Sequence, residues 1–361
     1  MEKTTDRKTP ATGGSAYLAS IATAVPPLYA DQGLAAQLIR QHFGTRLTAR
    51  SLGLIRATFD HPSIKKRHFA IDDPSRIMQE SPDQRIQRFT EKSVELSAQA
   101  VTRALELAGV GANEVTGLVV NTCTGYICPG ISTYLLERLG LSRSTRVYDL
   151  VGSGCAGAIP NLQLAESLLR TQGGIVVSVS VEICSSVFQM DNDLSLILSN
   201  ALFADGAAAA VLWDRPEGFE LVASAGRYVP EQRDDIRFVH KQGELHNQLS
   251  TRLPGLVKQA ASEVVSDLLA ARGLSTGDIR HWALHTGGEK IVNAVRDGIG
   301  IPEEQMRATR RILEQYGNMS SPTVWFVLSE LIDSGIAPGD WCLLLAYGAG
   351  LSAHSFLLRK C

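Results

Sequence analysis

Short apolar runs of strand length alternate with runs of helical spacing through most of this 361-residue chain, and that alternation constrains its fold more than any other feature. Residues 117–122 (Gly-Leu-Val-Val-Asn-Thr), 147–151, 174–183 and 207–213 read as buried strands, while 87–107, 130–139 and 159–169 carry helical periodicity. After about residue 216 the pattern restarts: a long helix over 253–271, a strand at 282–284, helices at 289–299 and 322–332, and a strand at 341–346. Strands alternating with helices predict an α/β architecture. The length exceeds what one small core organises, so two related α/β halves are expected, 15–215 and 216–361, with a site between them. No low-complexity linker divides them and no exact sequence repeat joins them. A polar arm, 1–14, is expected ahead of a first strand at 16–25; Pro26-Pro27 after that run, and no compact basic start before it, argue against a signal peptide.

Composition excludes several function classes. The formal net charge is −2 and no basic tract stands out, so nucleic-acid binding has no electrostatic footprint. No apolar run reaches the roughly 18 residues of a membrane helix. The six cysteines (Cys123, Cys128, Cys155, Cys184, Cys342 and Cys361) form no CxxC pair and have no zinc spacing with histidine, which points to a reducing cytoplasm and to no metal site.

One cysteine stands apart. Cys155 lies in Val151-Gly152-Ser153-Gly154-Cys155-Ala156-Gly157, where a strand at 145–151 turns into a helix over 156–170. Flanking glycines permit a tight turn and close approach by another molecule. At a helix start the dipole is expected to lower the thiol pKa and raise the fraction of nucleophilic thiolate. A lone free cysteine is more often a small buried apolar residue, and two later segments reverse that reading here. His285 follows a strand and precedes Thr286-Gly287-Gly288; Asn318 lies in Tyr316-Gly317-Asn318-Met319-Ser320-Ser321, a polar turn before an apolar helix. Alone, each is an ordinary structural histidine or turn asparagine. With Cys155 they form a coherent set: an imidazole draws a thiol toward thiolate, and imidazole and carboxamide can donate together to one oxyanion. Decarboxylating a malonyl thioester without a metal requires that pair.

These segments, with Cys123-Thr124-Gly125-Tyr126-Ile127-Cys128-Pro129-Gly130 and Ala201-Leu202-Phe203-Ala204-Asp205-Gly206, make the chain resemble a bacterial type III polyketide synthase, the chalcone synthase-like branch of the thiolase superfamily, from about Ile64 to the C-terminus. The resemblance implies a thiolase-like fold, two α/β halves layered αβαβα, and a homodimer. It implies that Cys155 carries the acyl chain, that His285 activates it and stabilises the enolate, and that Asn318 is the second oxyanion donor. Phe203 matches an aromatic gate, Cys123 and Ser320 match cavity-lining positions, and Cys128 falls where plant members have a methionine reaching across the dimer. Departures are a second gate falling at Asn247, a C-terminal loop reading Ala346-Tyr347-Gly348-Ala349-Gly350, and only Arg56 and His61 as candidates for the coenzyme A phosphates.

The implied reaction is iterative condensation of malonyl-CoA onto an acyl group held on Cys155, then cyclisation, with no cofactor beyond coenzyme A thioesters. The stretches 123–139 and 149–152 and Met190-Asp191-Asn192-Asp193 resemble bacterial enzymes that make alkylresorcinols or alkylpyrones from long acyl starters delivered on coenzyme A or a carrier protein, which is the expected product class. Residues 285–321 also resemble enzymes making dihydroxyphenylacetyl-CoA, or phloroglucinol, from malonyl units alone. An initiating β-ketoacyl-ACP synthase is a rival, without that family's His-Gln-Ala-Asn block. A more remote one is a nicotinamide oxidoreductase, from Gly152-x-Gly154-x-x-Gly157 with Glu182 as the ribose-binding acid.

Overall fold

The computed structural model describes residues 14–361, so the expected polar arm, except Gly14, lies outside the described residues. One nine-stranded mixed sheet runs, in spatial order, Ile279–Leu284, Trp341–Gly348, Ser352–Lys360, Phe219–Tyr228, Tyr17–Ala24, Asp205–Trp213, Ile175–Ile183, Val115–Asn121 and Arg146–Leu150. The first four strands come from the C-terminal part of the chain and the other five from the N-terminal part. They meet where Tyr17 and Leu18 pair with Glu220 and Phe219.

Three apolar cores build the layers. The helices Ala158–Gln172 and Thr323–Asp333 form the middle layer; Ile159, Leu162, Trp325 and Val327 pack there against strand residues of both parts, such as Val119, Leu212, Leu344 and Phe356. The helix Pro82–Ala108 covers the outer face of the N-terminal strands through Phe89, Leu96, Val101 and Leu105. The helices Leu253–Ala270 and Glu289–Ile299 cover the outer face of the C-terminal strands through Val257, Val264, Leu268 and Val292. The result is the αβαβα layering of the thiolase fold.

Local chemistry explains the pieces. Pro82–Ala108 begins with a capping box between Ser81 and Gln84 and stops at Gly109, whose φ of +67° is open mainly to glycine. In Asp205–Trp213 the four consecutive alanines alternate between cores, Ala208 and Ala210 toward the middle helices and Ala207 and Ala209 toward Pro82–Ala108. Small side chains on both faces let two helix layers approach one central strand. The last strand, Ser352–Lys360, was not among the expected elements: Ser352, His354 and Ser355 interrupt its apolar pattern, yet every residue from Ser352 to Leu358 is buried.

Candidate active site

Cys155 does not sit on the first turn of an α-helix. Gly154–Ala156 form a 3₁₀ turn, and the α-helix begins at Ala158, three residues later than the sulfur. Gly154 takes φ +55°, and a Cβ there would lie 2.9 Å from the backbone nitrogen of Ala349. A Cβ on Gly348 would come within 2.5 Å of the Ala156 nitrogen and 3.0 Å of the Cys155 nitrogen. The glycines on both segments therefore let the 346–350 loop press directly on the Cys155 turn. A Cβ on Gly157 would lie 2.6 Å from Asn121 Nδ2. The Gly-x-Gly-x-x-Gly spacing thus serves contacts within the protein, which removes the basis of the dinucleotide reading.

His285 ends the strand Ile279–Leu284, where its N–H donates to the Leu345 carbonyl at 2.9 Å. Its own carbonyl accepts from the Tyr347 hydroxyl at 2.6 Å, and the Tyr347 ring stands edge-on to the imidazole, centroids 5.2 Å apart. These contacts fix the imidazole in a buried position, with Nδ1 lacking a partner among the described residues. Thr286 Oγ1 donates to the Gly317 carbonyl at 2.9 Å and so ties the histidine segment to the asparagine turn. In that turn Asn318 N–H donates to Leu202 O and Asn318 O accepts from Ala204 N–H, both at 2.9 Å, a bridge that pairs Asn318 with Phe203, the expected gate. Ser320 N–H donates to Asn318 Oδ1 at 2.7 Å, which leaves the carboxamide NH₂ as the free end. Ser320 holds φ +60°, a strained conformation for a residue with a Cβ. In return its Oγ lies 3.3 Å from Cys155 Sγ and 3.4 Å from Cys123 Sγ.

The electrostatics correct the expectation of a resting thiolate. Burial pushes the Cys155 thiol up to about 12; Ser320 pulls the other way, the Glu182 carboxylate adds to the rise, and the backbone N–H of Cys155 and the Asn318 carboxamide offset only part of it. Burial holds His285 down at about 3. Burial disfavours the charged form of each side chain, so desolvation favours a neutral thiol at Cys155 and a neutral imidazole at His285. A neutral imidazole has one N–H to donate and one ring nitrogen that can accept a proton.

The acidic group at the centre of the network is Glu182, which is fully buried. One oxygen accepts from Thr122 Oγ1 (3.1 Å), Cys123 N (2.9 Å), Thr124 N (3.1 Å) and Thr124 Oγ1 (2.9 Å); the other accepts from Ser321 Oγ (2.6 Å). Two backbone donors aimed at one oxygen favour a carboxylate. No ribose could reach it. Burial raises its pKa, and those donors counter the rise.

Cys155 opens onto a cleft whose lining includes Cys123, Ser320, Phe203 and Asn247, four of the expected positions. Tyr347 is elsewhere, buried behind His285. Cys128 is exposed, beside Pro129. Arg56 is exposed on the helix Ala49–Phe59, and His61 is exposed beside Glu289. Sequence reasoning missed Phe188, Leu196, Phe238 and Leu249, which give the cleft its apolar character, and the buried role of Glu182. Asn247 was the one pointer to the hairpin Ile236–Lys241/Glu244–Leu249 that roofs it. Among the described residues no helix is long and apolar enough to cross a membrane.

Residues 220–361 match the family described as chalcone and stilbene synthases, C-terminal domain, and residues 47–224 match that of FAE1/type III polyketide synthase-like proteins. A 3,5-dihydroxyphenylacetyl-CoA synthase from Streptomyces toyocaensis is 28% identical over 353 residues, 92% of this chain and 90% of the relative. A second, from Amycolatopsis balhimycina, is 27% identical over 84% of this chain and 85% of its own. The crystal structure of PKS-I from the brown alga Ectocarpus siliculosus superposes with a TM-score of 0.89 at 26% identity, covering 99% of this chain and 100% of its own. With two family matches abutting near residue 220, in the order the fold requires, and the whole described chain laid out like a solved relative, the protein belongs to the type III polyketide synthases, chalcone synthase-like acyltransferases that work on coenzyme A thioesters.

Proposed function

We propose that this enzyme builds an aromatic product from malonyl units alone and releases it as a coenzyme A thioester, in the manner of a 3,5-dihydroxyphenylacetyl-CoA synthase. The observation that carries this reading is the similarity to two such synthases over more than four fifths of this chain and of theirs. In the proposed cycle Cys155 Sγ attacks a malonyl thioester, its proton passes to His285, and coenzyme A leaves as the thiol. A second malonyl-CoA loses carbon dioxide, and the enolate oxygen is held between the imidazole N–H of His285 and the NH₂ of Asn318. The enolate carbon attacks the Cys155 thioester, the sulfur leaves, and the lengthened chain returns to Cys155 for another round. Each proposed half, 15–215 and 216–361, contributes to the reaction, Cys155 from the first and His285 and Asn318 from the second. The working unit in this proposal is a homodimer.

Purified protein with isotope-labelled malonyl-CoA as sole substrate should give a labelled aromatic coenzyme A thioester, read by mass spectrometry. A second reading, extension of a long acyl starter to an alkylresorcinol or alkylpyrone, draws support from the apolar lining by Phe188, Leu196, Phe238 and Leu249. Ring products carrying an alkyl tail, formed only when an acyl-CoA or an acyl carrier protein starter is added, would replace the malonyl-only reading with it. Absence of product in every lane would overturn both.

A further inference from the structure

A second pocket lies on the far side of Phe203 from Cys155 and has no part in the proposed reaction. Phe188 and Phe203 form part of the wall between it and the Cys155 cleft, since both side chains line both spaces. Leu38 and Ile39 from the helix Gln32–Phe43, with Phe69, Ile71 and Ile77, give the second pocket an apolar side, while Ser185, Ser199 and Asn200 also line it, the last two on the side toward the Cys155 cleft. One charged side chain lines it, Arg67, which is only 2% exposed.

Arg67 is incompletely matched. Nε donates to Gln32 Oε1 at 2.8 Å and Nη1 to the Phe203 carbonyl at 2.7 Å, while the guanidinium carbon sits 5.6 and 5.1 Å from the ring centres of Phe59 and Phe69. Among the described residues Nη2 has no hydrogen-bond partner and no carboxylate forms an ion pair with Arg67. Asp205 acts on it through space, but the Asp205 oxygens already accept from Ala70 N–H and from Ser185 N–H and Oγ. Burial draws the guanidinium down to about 9, which leaves it charged at neutral pH. A buried cation without an anion is costly, and it binds strongly to any carboxylate that can present two oxygens to its open edge.

We propose that this cavity is a binding site for a free medium-chain alkyl carboxylate, with its carboxylate on Arg67 and its chain among Leu38, Ile39, Phe69, Ile71 and Ile77. The occupant is distinct from any group held on Cys155, and the inference stands whether or not the enzyme uses malonyl units alone. Because Arg67 Nη1 also holds the Phe203 carbonyl, an occupied site fixes the wall between the two cavities.

Isothermal titration of the full chain with decanoate and with decanol tests the proposal. Decanoate should bind one per chain, and decanol about tenfold or more weaker, the scale of one charge-assisted hydrogen bond. Arg67→Gln should bring decanoate down to the level of decanol. Ala35→Trp, which fills the cavity from the helix Gln32–Phe43, should abolish binding, with its thermal melt reporting that it is folded. If Arg67→Gln fails to fold, the decanoate-to-decanol ratio and Ala35→Trp still decide. Equal binding of decanol, no binding of decanoate, or binding that survives Ala35→Trp and is lost on Phe238→Trp in the Cys155 cleft would each overturn the proposal.

Discussion

Replacing Glu182 by glutamine should make Cys155 more reactive. Ser320 Oγ lies 3.3 Å from Cys155 Sγ and 3.5 Å from Glu182 Oε1, so sulfur and carboxylate are within about 7 Å of one another. Two unit charges about 7 Å apart at an effective dielectric near 20 repel by roughly 2 kcal/mol. That corresponds to between about one and two pH units on the thiol. Glu182→Gln removes the charge and can keep the network: the amide oxygen takes the place of the carboxylate oxygen that accepts from residues 122–124, and the NH₂ faces Ser321, whose hydroxyl can turn to accept. The assay is the rate of iodoacetamide capture as a function of pH, resolved by peptide mapping so that Cys123 is read separately. The midpoint for Cys155 should move down by about one to two units, so that below both midpoints the variant is labelled roughly ten- to a hundredfold faster. An unmoved or raised midpoint would mean that Glu182 is protonated in the folded enzyme, and the reasoning would fail.

Other consequences are equally open to measurement. Cys155→Ala should abolish condensed product yet retain release of carbon dioxide from malonyl-CoA, because His285 and Asn318 remain; loss of both would count against an oxyanion site independent of the sulfur. Gly348→Ala drives a Cβ to 2.5 Å from the Ala156 nitrogen, so it should displace the nucleophile turn and cost condensation far more than decarboxylation, measured on the same preparation. His354 is buried with neither ring nitrogen bonded among the described residues, and burial lowers it from 6.5 to about 4. The unfolded chain therefore takes up a proton below about pH 6.5 that the folded chain refuses until about 4, and stability falls through that window by up to roughly 1.4 kcal/mol per pH unit. His285, held at about 3 by burial, acts with the same sign. Urea midpoints at pH 7 and pH 5 should differ less for His354→Leu than for the unaltered protein; an identical difference would assign the pH effect to other groups.

The readable parts of this chain were those written in local chemistry. The Cys155 turn announces itself because only glycines permit the positive φ at 154 and the contact with Ala349, and such a run of glycine is visible in sequence. The strands that were legible are short apolar runs, unlike Phe219–Tyr228 and Ser352–Lys360, and the helix Glu289–Ile299 was legible because its apolar spacing is strong and Gly300 closes it at φ +81°. The ionisation state of Cys155 was not legible. The helix dipole is a local effect that follows from sequence position, whereas burial, which decides the matter, comes from segments more than a hundred residues away. Glu182 was hidden for the same reason: an acid near the end of an apolar strand looks alike whether it faces a ribose or is enclosed by donors from residues 122–124 and 321. The strained φ of Ser320 leaves no mark in composition. The starter acid is the least legible of all, since Phe188, Leu196, Phe238 and Leu249 meet only in three dimensions.

The main-chain bridge between Phe203 and Asn318 bears on how such an enzyme can diversify. In the proposed cycle, a backbone shift at Phe203 carries the Asn318 amide with it, so a lineage that altered specificity there would lose turnover at the same step. The hairpin Ile236–Lys241/Glu244–Leu249 roofs the same space, and none of its residues is hydrogen-bonded to Cys155, His285 or Asn318. Substitutions and length changes in that roof are the inheritable variation least coupled to chemistry. A library confined to residues 236–249 is accordingly where new ring products should emerge from this scaffold with its rate intact.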